Sequence, residues 1–150
     1  MQEIIRICQD VDALRELVAA RWGIVKGRGN YWLPIICSLR GSVFAEVIGQ
    51  TPTGKYIQPV DLTDQQRQPL YRFGFQLLDY LNAPPAVYLL QFGWEGQGHL
   101  LFDRLLPFPA QPAIASVGVQ VPDLFTCHWL CLTEQPIPEI VTYPPAPLSE

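Results

Sequence analysis

Hydrophobic residues recur every three or four positions near the start of the chain, and this spacing predicts an amphipathic helix over residues 3–21 that ends at Gly23. A similar apolar stripe predicts a second helix. It begins either at Thr63, which has the spacing of a capping box, or at Pro69 as the first helical residue. A third helix is predicted over residues 123–132.

Apolar runs rich in β-branched and aromatic residues are separated by turn residues, and they predict five strands. These runs cover residues 31–39, 43–49, 55–61, 86–92 and 99–105. The order α-βββ-α-ββ-α predicts an α+β domain with an antiparallel sheet of about five strands and helices on one face. We expect a single domain over residues 1–135 and a proline-rich extended tail over residues 136–150.

The composition predicts more apolar surface than a small fold can bury. Of the 150 residues, 49% are hydrophobic and 16% are charged, whereas about 25% are charged in ordinary soluble domains. We therefore expect a protein partner, with a homodimer as the preferred form. No apolar run approaches the ~20 residues that span a membrane, and the start of the chain lacks a signal-peptide pattern, so we expect a cytoplasmic protein.

Four aromatic residues are the predicted partner-binding set: Trp94, Trp32, Tyr31 and Phe92. Trp94 lies in a glycine-rich loop, where an exposed tryptophan would serve as an interface anchor. The alternative is that Trp94 folds back over the sheet.

The distribution of charge disfavours nucleic acid as a partner. The net charge is −4, and no lysine or arginine follows Arg104. A local exception lies between Arg21 and Arg40, where Arg28 stands between two glycines and could bring backbone amides near an anion.

No sequence motif of a nucleotide-binding loop, a nucleophilic serine or a zinc peptidase is present, and we expect no cofactor and no catalytic residue. Cys127, His128 and Cys131 have helical spacing for a metal, but their apolar surroundings favour buried thiols, so we expect no metal site. Glu46 and Asp103 fall on predicted strands, and together with Arg28 they are the candidate ligand-binding residues.

The element order resembles the type III secretion chaperone-like fold. The resemblance rests on Leu-Leu-Asp-Tyr-Leu-Asn at residues 77–82, which closes the middle helix, and on the following hairpin of residues 87–92 and 100–106. It implies a homodimer that binds other proteins without catalysing a reaction. The proline-rich stretch of residues 107–122 departs from that pattern.

A second resemblance points to an enzyme family. Val-Phe-Ala-Glu-Val-Ile at residues 43–48, the middle helix, and Leu-Phe-Asp-Arg-Leu-Leu-Pro at residues 101–107 are similar to the C-terminal part of an ATP-grasp ligase. In that family a strand with a Glu-x-Asn-Pro signature holds magnesium. The resemblance implies that Asp103 stands for the glutamate and that Leu105 replaces the asparagine. It also implies that 150 residues leave no room for the other lobe, so that an active ligase is not expected.

Our main hypothesis from the sequence is a non-enzymatic, protein-binding protein of the chaperone-like, assembly or regulatory kind. The alternative is a small-molecule or nucleotide-binding enzyme remnant of ATP-grasp type, with Asp103, Glu46 and nearby basic residues as its site.

Overall fold

The computed structural model describes residues 1–143. The helices are α1 (Gln2–Gln9), α2 (Val11–Trp22), α3 (Asp64–Tyr80) and α4 (Leu124–Leu132), with a 3₁₀ helix at Gln111–Ser116. The strands are β1 (Val25–Lys26), β2 (Tyr31–Ser38), β3 (Gly41–Phe44), β4 (Ile48–Gln50), β5 (Tyr56–Ile57), β6 (Ala86–Glu95), β7 (His99–Leu106), β8 (Gln120–Val121) and β9 (Val141–Thr142).

Side-chain caps mark the first residues of α2, α3 and α4. The predicted first helix is two helices, because the Asp10 carboxylate accepts a hydrogen bond from the backbone N–H of Ala13 and starts α2 there. The predicted capping box at the start of α3 is confirmed. The backbone N–H of Gln66 donates to Thr63 Oγ1, and the backbone N–H of Thr63 donates to Gln66 Oε1. Pro69 lies inside the helix and is not its first residue.

The main sheet has seven strands in the order β1-β7-β6-β2-β4-β5, with β3 also paired to β2. All pairs are antiparallel except β1 with β7, so the predicted fully antiparallel sheet of about five strands is only approximately right. The predicted strand over residues 43–49 is divided into β3 and β4. Both pair with β2, on either side of Pro34, whose carbonyl oxygen accepts a hydrogen bond from Ala45 N–H.

Helices cover both faces of this sheet, so the prediction of helices on one face is wrong. Alternate residues of β2 belong to two separate cores. Leu33 and Ile35 pack with α1, α2 and α3, whereas Trp32 and Ile36 pack with α4 and the 3₁₀ helix. A sheet covered on both faces needs apolar residues at consecutive strand positions, which explains the fully buried run in β6.

The described part of the proline-rich segment contacts the domain. Ile137 and Ile140 pack against the α4 core, and β9 pairs with β8. Residues 144–150 of the predicted tail lie outside the described residues, and the division at residue 135 stays a prediction. Within residues 1–143, no helix is long and apolar enough to cross a membrane.

Candidate functional site

A β-bulge in strand β7 creates the most polar buried position of the fold. Across β6 and β7, Gln91 pairs with Arg104 and the next residue, Phe92, pairs with Phe102, so Asp103 is the extra residue of the bulge. Its backbone carbonyl accepts a hydrogen bond of 2.7 Å from Arg15 Nε in α2. This hydrogen bond therefore joins helix α2 to the sheet at the bulge.

The Asp103 carboxylate has a donor on each oxygen. Oδ1 accepts from Arg15 Nη2 at 2.8 Å and from Arg104 Nε at 3.2 Å, and Oδ2 accepts from the backbone N–H of Gly29 at 2.9 Å. Asp103 is only 4% exposed. A buried carboxylate that is satisfied in this way positions its donors, and it offers no free oxygen to a ligand.

Arg15 and Arg104 contact this carboxylate, and Arg28 directly precedes Gly29 in the chain; we call these three residues the arginine cluster. The side chains of Arg15 and Arg104 are 22% and 45% exposed, and Arg28 is exposed in the loop that ends at Gly29. The Gln91 side chain ties that loop to the sheet by donating to the carbonyl oxygen of Gly29 at 2.7 Å. The carboxylate faces the guanidinium groups of Arg15 and Arg104, and Arg28 adds a third cation on the adjoining loop, so this region has an excess of positive charge in a protein of net charge −4.

Two glycines, one in the loop and one in β6, allow the loop to lie directly against the backbone of β6. A Cβ at Gly29 would overlap the backbone of Phe92, and a Cβ at Gly93 would lie 2.7 Å from the carbonyl oxygen of Arg28. Only glycine permits such an approach, so the loop is held by the backbone of β6 as well as by Asp103.

The proline that follows β7 gives a second way to place the Glu-x-Asn-Pro comparison on this strand. The asparagine of that signature directly precedes the proline, and the proline that follows β7 is Pro107. Counted back from Pro107, Leu106 and Arg104 would stand at the asparagine and glutamate positions, one residue later than the sequence comparison placed them. On this strand Asp103 is buried and Arg104 is exposed.

Glu46 lies apart from the arginine cluster. It precedes β4, and β2 and β6 separate that strand from β7. Its carbonyl oxygen accepts from Gln58 Nε2 at 2.8 Å. Burial, and then the Glu46 carboxylate, raise the pKa of the Tyr71 hydroxyl in α3, which places Glu46 near that helix. The structure thus brings the loop that carries Arg28 to Asp103, through Gly29, but leaves Glu46 elsewhere.

Two of the four predicted partner-binding aromatics are buried and two are half-buried, and their use in partner binding stays a prediction. Phe92 and Trp32 are buried. Trp94 is half-buried, with its ring 4.9 Å from that of Tyr31 and 5.1 Å from that of Phe92. The alternative interpretation, in which Trp94 folds back over the sheet, describes its position. The physical reason is that β2 and β6 are neighbours, so their aromatic side chains stack on one another.

The Cys127, His128 and Cys131 side chains of α4 contact the protein interior. Burial raises the pKa of Cys127 to about 12 and that of Cys131 to about 11. His128 Nδ1 accepts a hydrogen bond of 3.1 Å from the backbone N–H of Val87, and burial lowers its pKa. Residues 1–143 contain no group of three His, Cys, Asp or Glu residues arranged to hold a metal ion.

Solved structures identify the fold. The chain is similar to glycinamide-RNase-transformylase T from Mycobacterium tuberculosis at a TM-score of 0.74 and 16% identity, over 88% of this chain and 50% of that one. It is also similar to N5-carboxyaminoimidazole ribonucleotide synthetase from Thermotoga maritima (TM-score 0.63, 14% identity, 77% of this chain and 31% of that one). These enzymes are ligases of ATP-grasp type. The fold of this chain is similar to part of the fold of these ligases.

A third ATP-grasp structure is N5-carboxyaminoimidazole synthetase from Staphylococcus aureus complexed with ADP, at a TM-score of 0.66 and 14% identity, over 78% of this chain and 33% of that one. The chain therefore spans half or less of the length of these three proteins. No protein-family model matches the chain, and no curated protein matches it.

These comparisons overturn the main hypothesis from the sequence. The ATP-grasp neighbours support the second resemblance, and the type III secretion chaperone-like resemblance is unsupported. The protein-binding, chaperone-like function was therefore the wrong choice, and the nucleotide-binding alternative fits the fold better. The order of a helix followed by a hairpin is common to both resemblances, so it did not distinguish them. The sequence alone also did not show that helices cover both faces of the sheet.

Proposed function

We propose that this ATP-grasp-type chain binds a small phosphate-bearing molecule of the nucleotide class at the arginine cluster, and that this binding needs no magnesium. The observation that carries the proposal is the exposed guanidinium of Arg104, which would take the place of the signature carboxylate when the comparison is counted from Pro107. A carboxylate attracts a phosphate only through a bound cation, whereas a guanidinium supplies positive charge and paired N–H donors itself.

The surroundings of Arg104 favour this role. Its Nε donates to Asp103, which fixes one edge of the guanidinium, and 45% of the side chain remains exposed. Arg28 adds a second exposed cation on the neighbouring loop. A guanidinium that is oriented before the ligand arrives loses less conformational entropy on binding than a free surface arginine.

The nucleotide class is supported by the similar structure from Staphylococcus aureus, which contains ADP. We propose binding alone. Counted from Pro107, the chain has Leu106 and Arg104 where the signature has its asparagine and glutamate, so magnesium-assisted ligase chemistry lacks its carboxylate at this position.

Thermal unfolding with ADP, in EDTA and in magnesium, tests the proposal. We expect ADP in EDTA to raise the melting temperature, because a ligand of the native state stabilises it by about 2.7 kcal/mol at 100 times Kd. Arg104→Gln should abolish the shift, and the matched control Arg40→Gln, an exposed arginine of the β2–β3 turn, should keep it. Binding that requires magnesium, or that survives Arg104→Gln, would contradict the proposal.

Two sequence-based expectations stay predictions. One is the homodimer, which light scattering over a dilution series tests directly. The other is the cytoplasmic location, for which the similar biosynthetic enzymes provide only indirect support. Neither affects the proposed binding site.

A further inference from the structure

A second candidate site lies near the opposite edge of the sheet from the arginine cluster. It is a cavity of about 620 Å³ between β5 and the 3₁₀ helix. This volume is in the range of pockets that bind small organic molecules, about 300–1,000 Å³. β5 ends the sheet on one side and β7 lies near the other end, so the cavity shares no residue with the arginine cluster.

Large aliphatic side chains line this cavity and remain in contact with solvent. Ile57 of β5 is 40% exposed, Ile114 of the 3₁₀ helix is 59% exposed, and Val117 just after it is 54% exposed. Three branched side chains from two elements therefore face one concave space. Such a concentration of exposed apolar surface marks a binding site more often than an isolated apolar residue does.

Among residues 1–143, one charged residue lines the cavity, and it is Lys55. The backbone of Lys55 is fixed by the preceding turn: its N–H donates to Thr51 Oγ1 at 3.0 Å, and its carbonyl accepts from Thr51 N–H at 2.8 Å. The Lys55 ammonium forms no salt bridge with a carboxylate of residues 1–143. A cation beside an apolar cavity is complementary to a ligand with an apolar body and one negative charge.

Hydrogen bonds of a buried glutamine hold the wall next to Lys55. Gln58 is 2% exposed and also lines the cavity, and its Nε2 donates to the Glu46 carbonyl at 2.8 Å and to Gln120 Oε1 at 3.1 Å. These two bonds join β5 to the segments before β4 and at β8. The cavity is therefore formed by packed elements, which favours a preformed site.

We propose that this cavity binds an apolar carboxylic acid. The ionised carboxylate pairs with Lys55, and the hydrocarbon part contacts Ile57, Ile114 and Val117. The proposal is independent of the nucleotide site, because it rests on different elements of the fold.

Titration calorimetry with decanoate, at concentrations where it is monomeric, tests this inference. We expect saturable binding of decanoate with one site per chain, and binding at least tenfold weaker for decan-1-ol, which has the same chain length and no charge. Lys55→Gln should weaken decanoate binding about tenfold, whereas the control Lys26→Gln, an exposed lysine of β1, should leave it unchanged.

A second variant tests the apolar wall. Val117→Asp places a negative charge beside the proposed hydrocarbon position, and it should abolish decanoate binding while the circular dichroism spectrum is retained, since Val117 is 54% exposed. The Arg104→Gln variant should bind decanoate as the parent does, which separates this site from the nucleotide site. The inference is overturned if decanoate does not bind, if decan-1-ol binds as well, or if Lys55→Gln or Val117→Asp binds like the parent.

Discussion

Replacing Asp103 with asparagine tests the central ion pair while keeping the side-chain size. The amide retains one oxygen, so the donors on Oδ1 and the Gly29 N–H on Oδ2 cannot both be satisfied. Arg15 also loses its counter-charge. Asp103→Asn should therefore destabilise the fold substantially.

The structure sets the size of the expected loss. Breaking a buried ion pair by removing one partner typically costs about 3–5 kcal/mol. The Arg15 side chain is 22% exposed and can recover some hydration, and Arg104, at 45% exposed, contributes little. We therefore expect about 3 kcal/mol, the lower end of that range. For a domain of this length the melting temperature should fall by about 6–12 °C.

Urea unfolding followed by tryptophan fluorescence measures this difference. The control Asp61→Asn changes an exposed carboxylate and should stay within about 0.5 kcal/mol of the parent. Combining Asp103→Asn with Arg15→Met should cost less than the sum of the two single changes, because they remove the same interaction. A loss below about 1 kcal/mol for Asp103→Asn, or strict additivity with Arg15→Met, would refute the reasoning.

Two further predictions concern the loop and helix α4. Gly29→Ala should cost about 3 kcal/mol in urea unfolding, because the new Cβ would overlap the rigid backbone of Phe92. The stability of the parent should fall as the pH drops below about 6.5, because burial lowers the pKa of His128 in the fold and protonation is easier in the unfolded chain. Urea midpoints at pH 7.5 and 5.5 measure that loss. His128→Asn, which cannot titrate but can still accept from Val87 N–H, should reduce it.

Each of these predictions has its own control or refutation. Gly27→Ala should lower the free energy of unfolding less than Gly29→Ala does. Its Cβ would lie 2.7 Å from the flexible end of the Leu101 side chain, which can move, whereas the backbone of Phe92 cannot. Equal losses for the two variants would show that the contact with β6 is unimportant. If the pH dependence is the same in His128→Asn, His128 is not its source.

The sequence predicted the elements whose signals are local. The capping box at Thr63 predicted the start of α3 and is present, and the helix predicted over residues 123–132 matches α4, which Asp123 caps. Strand β1 was missed because two residues carry no pattern of their own, and they form a strand only by pairing with β7. The second covered face was missed because Phe125 and Trp129 are exposed on α4, so its apolar pattern does not indicate which side packs.

The candidate site was predicted in part. Arg28 and Asp103 were identified by residue type, but their proximity depends on the bulge and on the close approach at Gly29. Arg15 and Gln91 were missed, since nothing in their neighbouring sequence links them to residues so distant along the chain. The continuous apolar run of β6 was the available signal that both faces of the sheet are covered.

The Asp103 bulge also has a consequence for the order of folding. It joins β7 to Arg15 and Gly29 across separations of 88 and 74 residues. Contacts between such distant segments form slowly, because a long loop must close first. During synthesis, the first thirty residues can form their helices early, but their docking on the sheet must wait until the β6–β7 hairpin has left the ribosome.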